Sequence, residues 1–403
     1  MLKQPAYGYA ATVHRLPAAP WVTLEELAAD PHPTLSRLRT EHPVAWVPAL
    51  NGWLVTTRAL VLDAMRDDVR LTVDDPRFST GQVTGPSMLS TDGPEHARHR
   101  APFARPFRLD AVRQRFADAC AAEADRLVAG FAVTGEAELR TQLAGPLAAR
   151  LMLIALGLET ASERDVLAWY VEIVDAVSRI SAGQAAPPAG FAAYDRLGQA
   201  IRESLDHAGP ESSLLAAALG DAAALSEAEL IANAAVLLFG GIETTEGMIA
   251  NLLHHLLTTP DVLAALADDP LLLEGAIEES LRLEPAAAIL DRYATCDLVL
   301  GGVAIPAGDL VILSMAAANR DATVFSDPDR FDPTRANARL HTTFATGPHV
   351  CLGMHLARVE AAAAVRALTR WLPTLRADPA RPSSPTGLVF RKPAAVWALW
   401  SSG

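Results

Sequence analysis

The chain has 403 residues, half of them hydrophobic, and a formal net charge of −13. That much apolar material can bury a large core, and an acidic surface argues against nucleic acid or an anionic membrane as the main partner. Three widely spaced cysteines, Cys120, Cys296 and Cys351, form neither a disulfide framework nor a zinc spacing, which predicts a reducing, cytoplasmic setting.

Residues 1–22 contain charged side chains and three prolines but no apolar stretch, so they read as an extended segment and not as a signal peptide. Helical periodicity follows over about 24–41, 108–131, 143–156, 162–182 and 194–207. Strand-like pieces lie at 44–56, 297–305, 309–314 and 388–400, beside turn signals such as Asn51-Gly52 and Pro306-Ala307-Gly308. Residues 183–193 read as a flexible connection, either a lid or a plain surface loop. The longest helix is expected from Glu227 to Leu257, opened by a capping box at Ser226 and Glu229 and closed before Pro260. About 31 residues would span roughly 46 Å, and the apolar middle predicts burial. No run of 18 apolar residues occurs, so no membrane span is expected. With no repeat or long linker, residues 1–403 read as one mainly α domain with small β-sheets.

The most informative stretch is Phe344-Ala345-Thr346-Gly347-Pro348-His349-Val350-Cys351-Leu352-Gly353. Glycines stand four residues before and two after the cysteine, where they permit positive φ and close backbone approach to a flat ligand. The pattern is helical from Leu352 onward, which places Cys351 at a helix N-terminus. Free amide groups and the helix dipole favour a thiolate there. A lone cysteine is more often a small buried hydrophobe. Here the pattern F-x-x-G-x-x-x-C-x-G is complete, and it resembles the haem-binding loop of the cytochrome P-450 family, soluble bacterial type. The resemblance implies the cytochrome P-450 fold and haem b, with Cys351 as proximal iron ligand, Phe344 shielding the sulfur, Gly353 beside it, and His349 reaching a propionate.

Three further segments occur in that family's order. Phe239-Gly240-Gly241-Ile242-Glu243-Thr244-Thr245 puts two helix-weakening glycines before an acid and two hydroxyls, which fits a local opening of the helix beside ligand and water. A packing notch, with a hydroxyl bonded to the preceding turn, fits as well. By resemblance Thr244 would hold dioxygen and its water, and Glu243 would help relay the protons for O–O cleavage. Glu279 and Arg282, at i and i+3, are by themselves a common surface pair. By resemblance they are a structural pair supporting the cysteine loop, followed by Arg292 as a propionate ligand. Asp92-Gly93-Pro94-Glu95-His96 through Arg100 puts His96 and Arg100 on one helical face. By resemblance these two also bind propionates, which suits a cluster of cations around two carboxylates. A metal on His96 and His99 lacks a third ligand nearby.

No flavin or nicotinamide fingerprint and no iron–sulfur cysteine cluster is present, so electrons are expected from a separate protein. The resemblance puts Arg98, Arg100, Arg105, Arg108, Arg113 and Arg115 on or near the proximal face, where they would dock an acidic ferredoxin or flavodoxin. It also assigns a distal pocket to Phe78, Met88, Leu89, Leu237, Leu238, Gly241, Ala288, Ile289 and Val389, which favours a hydrophobic small-molecule substrate used with O2. The expected protein is a monomeric monooxygenase. A peroxide-driven enzyme is disfavoured by Glu243 and Thr244, and a non-catalytic haem protein by their retention together with Cys351. A helical scaffold without cofactor leaves the four motifs unexplained.

Overall fold

The computed structural model describes residues 17–158, 161–181, 184–207, 213–216, 225–266 and 269–401. The expected N-terminal segment lies outside the described residues as far as 16. From residue 17 the chain is tied down, with Ala19 donating to the Trp46 carbonyl and Trp46 to that of Pro17.

The helices are α1 (Leu24–Ala29), α2 (His32–Glu41), α3 (Arg58–Arg66), α4 (Ser79–Thr84), α5 (Gly93–Ala104), α6 (Leu109–Phe131), α7 (Gly145–Leu156), α8 (Glu163–Ser181), α9 (Pro188–His207), α10 (Glu227–Thr258), α11 (Pro260–Ala265), α12 (Pro270–Leu283), α13 (Met315–Ala318) and α14 (Met354–Trp371). The pattern over 24–41 is two helices because Pro31 disfavours helix at Asp30. The connection expected over 183–193 is shorter, since Pro188, acceptable in a first turn, already starts α9. The capping box of Ser226 and Glu229 is formed, and α10 runs 32 residues, about 48 Å. By length and composition this helix passes for a membrane span, but most of it is buried inside the fold.

The strands are β1 (Val44–Val47), β2 (Gly52–Val55), β3 (Leu71–Thr72), β4 (Glu136–Glu138), β5 (Ile289–Ala294), β6 (Leu298–Leu300), β7 (Val303–Ile305), β8 (Leu310–Ser314), β9 (Arg376–Ala377), β10 (Pro385–Thr386), β11 (Lys392–Pro393) and β12 (Trp397–Leu399). The main sheet has the order β1-β2-β8-β5-β3, with β2 and β8 parallel and the other pairs antiparallel. The sequence pattern missed β5 because Asp291 and Arg292 interrupt its apolar run.

Two large apolar clusters meet along α10. Residues of α7, α8, α9 and the first half of α10 form one, and α6, α12, α14 and the second half of α10 form the other. Leu237 on α10 and Leu352 beside Cys351 pack against both clusters. The middle of α10 and the cysteine loop therefore face the same seam of the domain.

Candidate active site

The cysteine loop is closed by the Cys351 N–H donating to the Phe344 carbonyl at 2.8 Å. Gly347 has φ +75°, and a Cβ there would lie 2.9 Å from the Met65 carbonyl oxygen, so glycine is required. Gly353 is different from the expectation. It has φ −80°, caps α14, and fronts open space where a Cβ would stand. The helix starts at Met354, two residues later than its apolar pattern. Backbone N–H groups of Gly353 and Met354 reach the sulfur, and with the charges of Arg100 and Arg358 they favour thiolate. Burial opposes them and prevails, holding the thiol above its usual range. Cys351 nevertheless has exposed surface. A bound metal cation reverses such a balance and deprotonates the thiol.

Phe344 contributes through its carbonyl and through a ring covered by the Arg358 guanidinium, 4.5 Å from its centroid. Arg358 is itself held by both oxygens of Glu278, at 2.6 and 3.0 Å. The Glu279–Arg282 pair is fully buried and bidentate, at 2.7 and 2.8 Å, and no surface pair. Arg282 also donates to the carbonyls of Asn319 and Pro328. Asn319 in turn accepts from the Thr342 N–H at 2.7 Å, two residues before the loop.

The four cationic residues named for propionates do converge. The rings of His96 and His349 lie 4.3 Å apart. His349 Nε2 meets Asp92 at 2.6 Å, and Asp92 also accepts from Thr72 and Val73. Arg292 is buried near Asp92 and donates to the Asp291 carbonyl. Arg100 turns inward to the Val350 carbonyl. Burial, then His349 and Arg100, push His96 down to about 4, so its ring is neutral at pH 7. Its Nε2 is buried without a hydrogen-bond partner. An orphaned nitrogen among cations suits an incoming carboxylate, so this donor set fits haem propionates. Among the described residues the only three-ligand metal cluster is Glu95, His99 and Glu229. It excludes Cys351, and Arg98 is hydrogen-bonded to both of its carboxylates, so a cation already occupies them. His99 anchors α5 to α10 through Asn233.

On α10 the expected local opening is absent. The helix is continuous, and Thr244 Oγ1 donates to the Gly240 carbonyl, which satisfies the hydroxyl within the turn. The two glycines have different jobs. A Cβ on Gly241 would strike Met152 of α7 at 2.1 Å, whereas Gly240 is exposed and fronts open space in the middle of a buried helix. Leu237, Gly240 and Thr244 form one stripe at helical spacing, the less buried one. Of the residues expected to line the pocket, Leu237 lies on that stripe. Gly241 is a packing notch, and Leu238, 1% exposed, belongs to the core around α8 and α9. Ala288 and Ile289 pack with Leu27, Leu35 and Leu54 of the N-terminal cluster. Phe78 precedes α4 and is half-buried, Met88 and Leu89 pack in the α8–α9 core, and Val389 is exposed. Beside Val389, Phe390 meets Phe239 edge to face at 5.5 Å, a pair whose members the sequence carries 151 positions apart. Glu243 accepts from the Tyr170 hydroxyl and pairs with Lys392, each at 2.7 Å. Neither partner had a signal in the sequence, because both come from remote elements.

Of the six arginines between 98 and 115, Arg98 is ion-paired, Arg100 is turned inward and Arg115 lies along Phe116. Arg105, Arg108 and Arg113 are exposed. A cleft of about 400 Å³ is lined by α5, including His96 and Arg100, with Asp68 and Pro348 of the cysteine loop.

Comparisons with known proteins agree with this geometry. The cytochrome P450 family profile matches residues 189–385. Cytochrome P450 107B1 of Saccharopolyspora erythraea is 36% identical over 87% of this chain and 90% of its own length. The vitamin D(3) 25-hydroxylase of Pseudonocardia autotrophica is 35% identical over 83% of this chain and 85% of its own. Among solved structures, CalO2 superposes with a TM-score of 0.85 at 28% identity, covering 94% of this chain and all of that one. The site has a cysteine at a helix start, a cationic group suited to carboxylates and an acid–hydroxyl pair on a buried helix, and the extent of identity to these relatives shows that this chain belongs to the cytochrome P450 family of monooxygenases.

Proposed function

We propose that the chain oxidises a hydrophobic small molecule, by hydroxylation or a related insertion of oxygen, in bacterial secondary metabolism or catabolism. The reaction in its simplest form is RH + O2 + 2 e⁻ + 2 H⁺ → ROH + H2O. The observation that carries the reading is that Leu352, next to Cys351, and Leu237, on the stripe with Gly240 and Thr244, both pack against the two cores, with Glu243 next to Thr244.

Haem b bound there would supply a redox iron at which dioxygen is reduced. Cys351 would ligate it, with the N–H groups of Gly353 and Met354 tuning how much charge the sulfur donates. His96, Arg100, Arg292 and His349 would hold the two carboxylates. Thr244 already has a hydroxyl poised on the open side of α10, able to hold a water. Glu243 and Thr244 are adjacent on a helix and do not face one another, so a proton passing from the carboxylate needs such a water between them. Phe239, Phe390 and Leu237 give the substrate an apolar wall, in keeping with a relative named for vitamin D(3).

The test is a carbon monoxide difference spectrum of the reduced protein. A band at about 450 nm reports thiolate ligation, and one at about 420 nm would exclude it. Thr244→Ala is then expected to lower product formed per oxygen consumed by at least about tenfold and to release hydrogen peroxide instead. Peroxide-supported turnover unaffected by the substitution, with no reductant-driven activity in the parent, would favour the peroxygenase reading.

Electrons are proposed to come from a ferredoxin or flavodoxin with its reductase, docked on Arg105, Arg108 and Arg113. Charge reversal at Arg105 and Arg113 together should slow the first electron transfer by about tenfold and flatten its dependence on salt. Stopped-flow reduction at several ionic strengths checks this, and an unchanged rate places docking elsewhere.

A further inference from the structure

Glu243 is the hub of a polar network that joins three separate parts of the fold. The Tyr170 hydroxyl, on α8, donates to Oε2 at 2.7 Å, and Lys392 Nζ, on β11, reaches Oε1 at 2.7 Å. Lys392 also approaches Glu246 at 3.4 Å, and Glu246 is held by Arg140 at 2.7 Å. The Lys392 stem lies across Gly247, 3.7 Å from where a Cβ would stand, whereas the tight neighbour there is the Ala286 Cβ at 3.0 Å. Tyr170 is 6% exposed, its phenol is kept protonated by burial and by Glu243, and its hydroxyl has that one partner to satisfy.

We propose that Tyr170 and Lys392 are positioning residues for Glu243, fixing its carboxylate in one place, and that Tyr170 makes that placement depend on α8 being seated against α10. The proposal rests on the monooxygenase reading above. A free glutamate side chain samples several rotamers, and each one removes the carboxylate from the water that Thr244 would hold. Here one oxygen is claimed from α8 and the other from the C-terminal hairpin, so neither can turn without breaking a bond to a charged group. A carboxylate has about four lone-pair sites, and with two engaged the others remain open for a relay water. α8 is the element whose movement would matter. It belongs to the α8–α9 core on one side of the seam, whereas Lys392 belongs to the hairpin on the other. Without the Tyr170 bond Glu243 keeps only its lysine, and proton delivery is then poorly placed.

The test uses the haem-loaded enzyme with Tyr170→Phe, Lys392→Met and Lys392→Arg. Hydrogen exchange of residues 163–181, read by mass spectrometry without turnover, should quicken about tenfold in Tyr170→Phe, as expected for loss of one hydrogen bond to a charged group. It should be unchanged in Lys392→Met, which does not touch α8. The share of consumed oxygen recovered as hydrogen peroxide should rise severalfold in both Tyr170→Phe and Lys392→Met, and Lys392→Arg should restore most of the parent value. A purely bracing role would speed exchange while leaving the peroxide share at the parent level, and that result overturns the proposal. So does normal exchange of α8 in Tyr170→Phe. A parent enzyme without the thiolate band would instead remove the monooxygenase reading, which the same samples report separately.

Discussion

Cys351→Ser is expected to leave a folded protein whose carbon monoxide spectrum has lost its thiolate band and whose turnover has fallen below about one hundredth of the parent. Groups merely supporting a metal ligand are commonly worth 10–100-fold, so removing the ligand itself must cost at least that much. The fold should survive, because the Cys351 side chain is not part of either apolar cluster and the loop is closed by main-chain bonds from Cys351 to Phe344 and from Val350 to Gly347. Serine keeps both of those bonds. Circular dichroism melting separates the outcomes, since a cofactor-loaded parent gains stability from the ligand it binds. Unchanged pigment, spectrum and turnover in the serine variant would refute the assignment of the sulfur.

Arg282→Ala is expected to give little soluble protein and no cofactor-loaded protein. The substitution removes both Arg282 bonds to the Glu279 carboxylate, leaving it at zero exposure with only Arg335 and the Asp332 N–H, and frees the carbonyls of Asn319 and Pro328. Breaking a buried pair from one side costs about 3–5 kcal/mol, against roughly 5–15 kcal/mol of total stability. The damage also points at the site. Asn319 holds Thr342, and Thr343 donates to the Leu281 carbonyl beside Arg282, so the chain entering the cysteine loop hangs from this pair. Arg282→Lys should not rescue, because an ammonium cannot bridge both carboxylate oxygens and three carbonyls. Denaturant midpoints of whatever soluble material is obtained provide the check, and a midpoint equal to the parent's would show the pair to be dispensable.

How much was legible beforehand follows from the range of each interaction. The cysteine loop could be read directly, since main-chain bonds from Cys351 to Phe344 and from Val350 to Gly347 close it within a few residues, although the Met65 carbonyl that requires Gly347 is remote. The start of α10 could be read for the same reason, as its capping box spans three positions. Pro31 and Pro188 carried readable signals for the start of α2 and α9, and the periodicity alone overrode them. The strand β5 was illegible because its buried charges, Asp291 and Arg292, are explained only by what surrounds them. The paired glycines of α10 were ambiguous because their sequence is the same whichever one faces a neighbour. The position of Met152 settles that Gly241 is the notch and Gly240 the open face.

The sequence by itself, through its resemblance to the family, nominated the groups proposed to carry the reaction: a thiol at a helix start, an acid beside a hydroxyl, histidines and arginines for carboxylates. Tertiary structure alone decided who holds them in place. Tyr170 and Lys392 reach Glu243 from 73 and 149 positions away, and Asp92 reaches His349 across 257. Hydrogen bonds act over about 3 Å of space whatever the separation along the chain, so a single sequence lists the groups but cannot pair them.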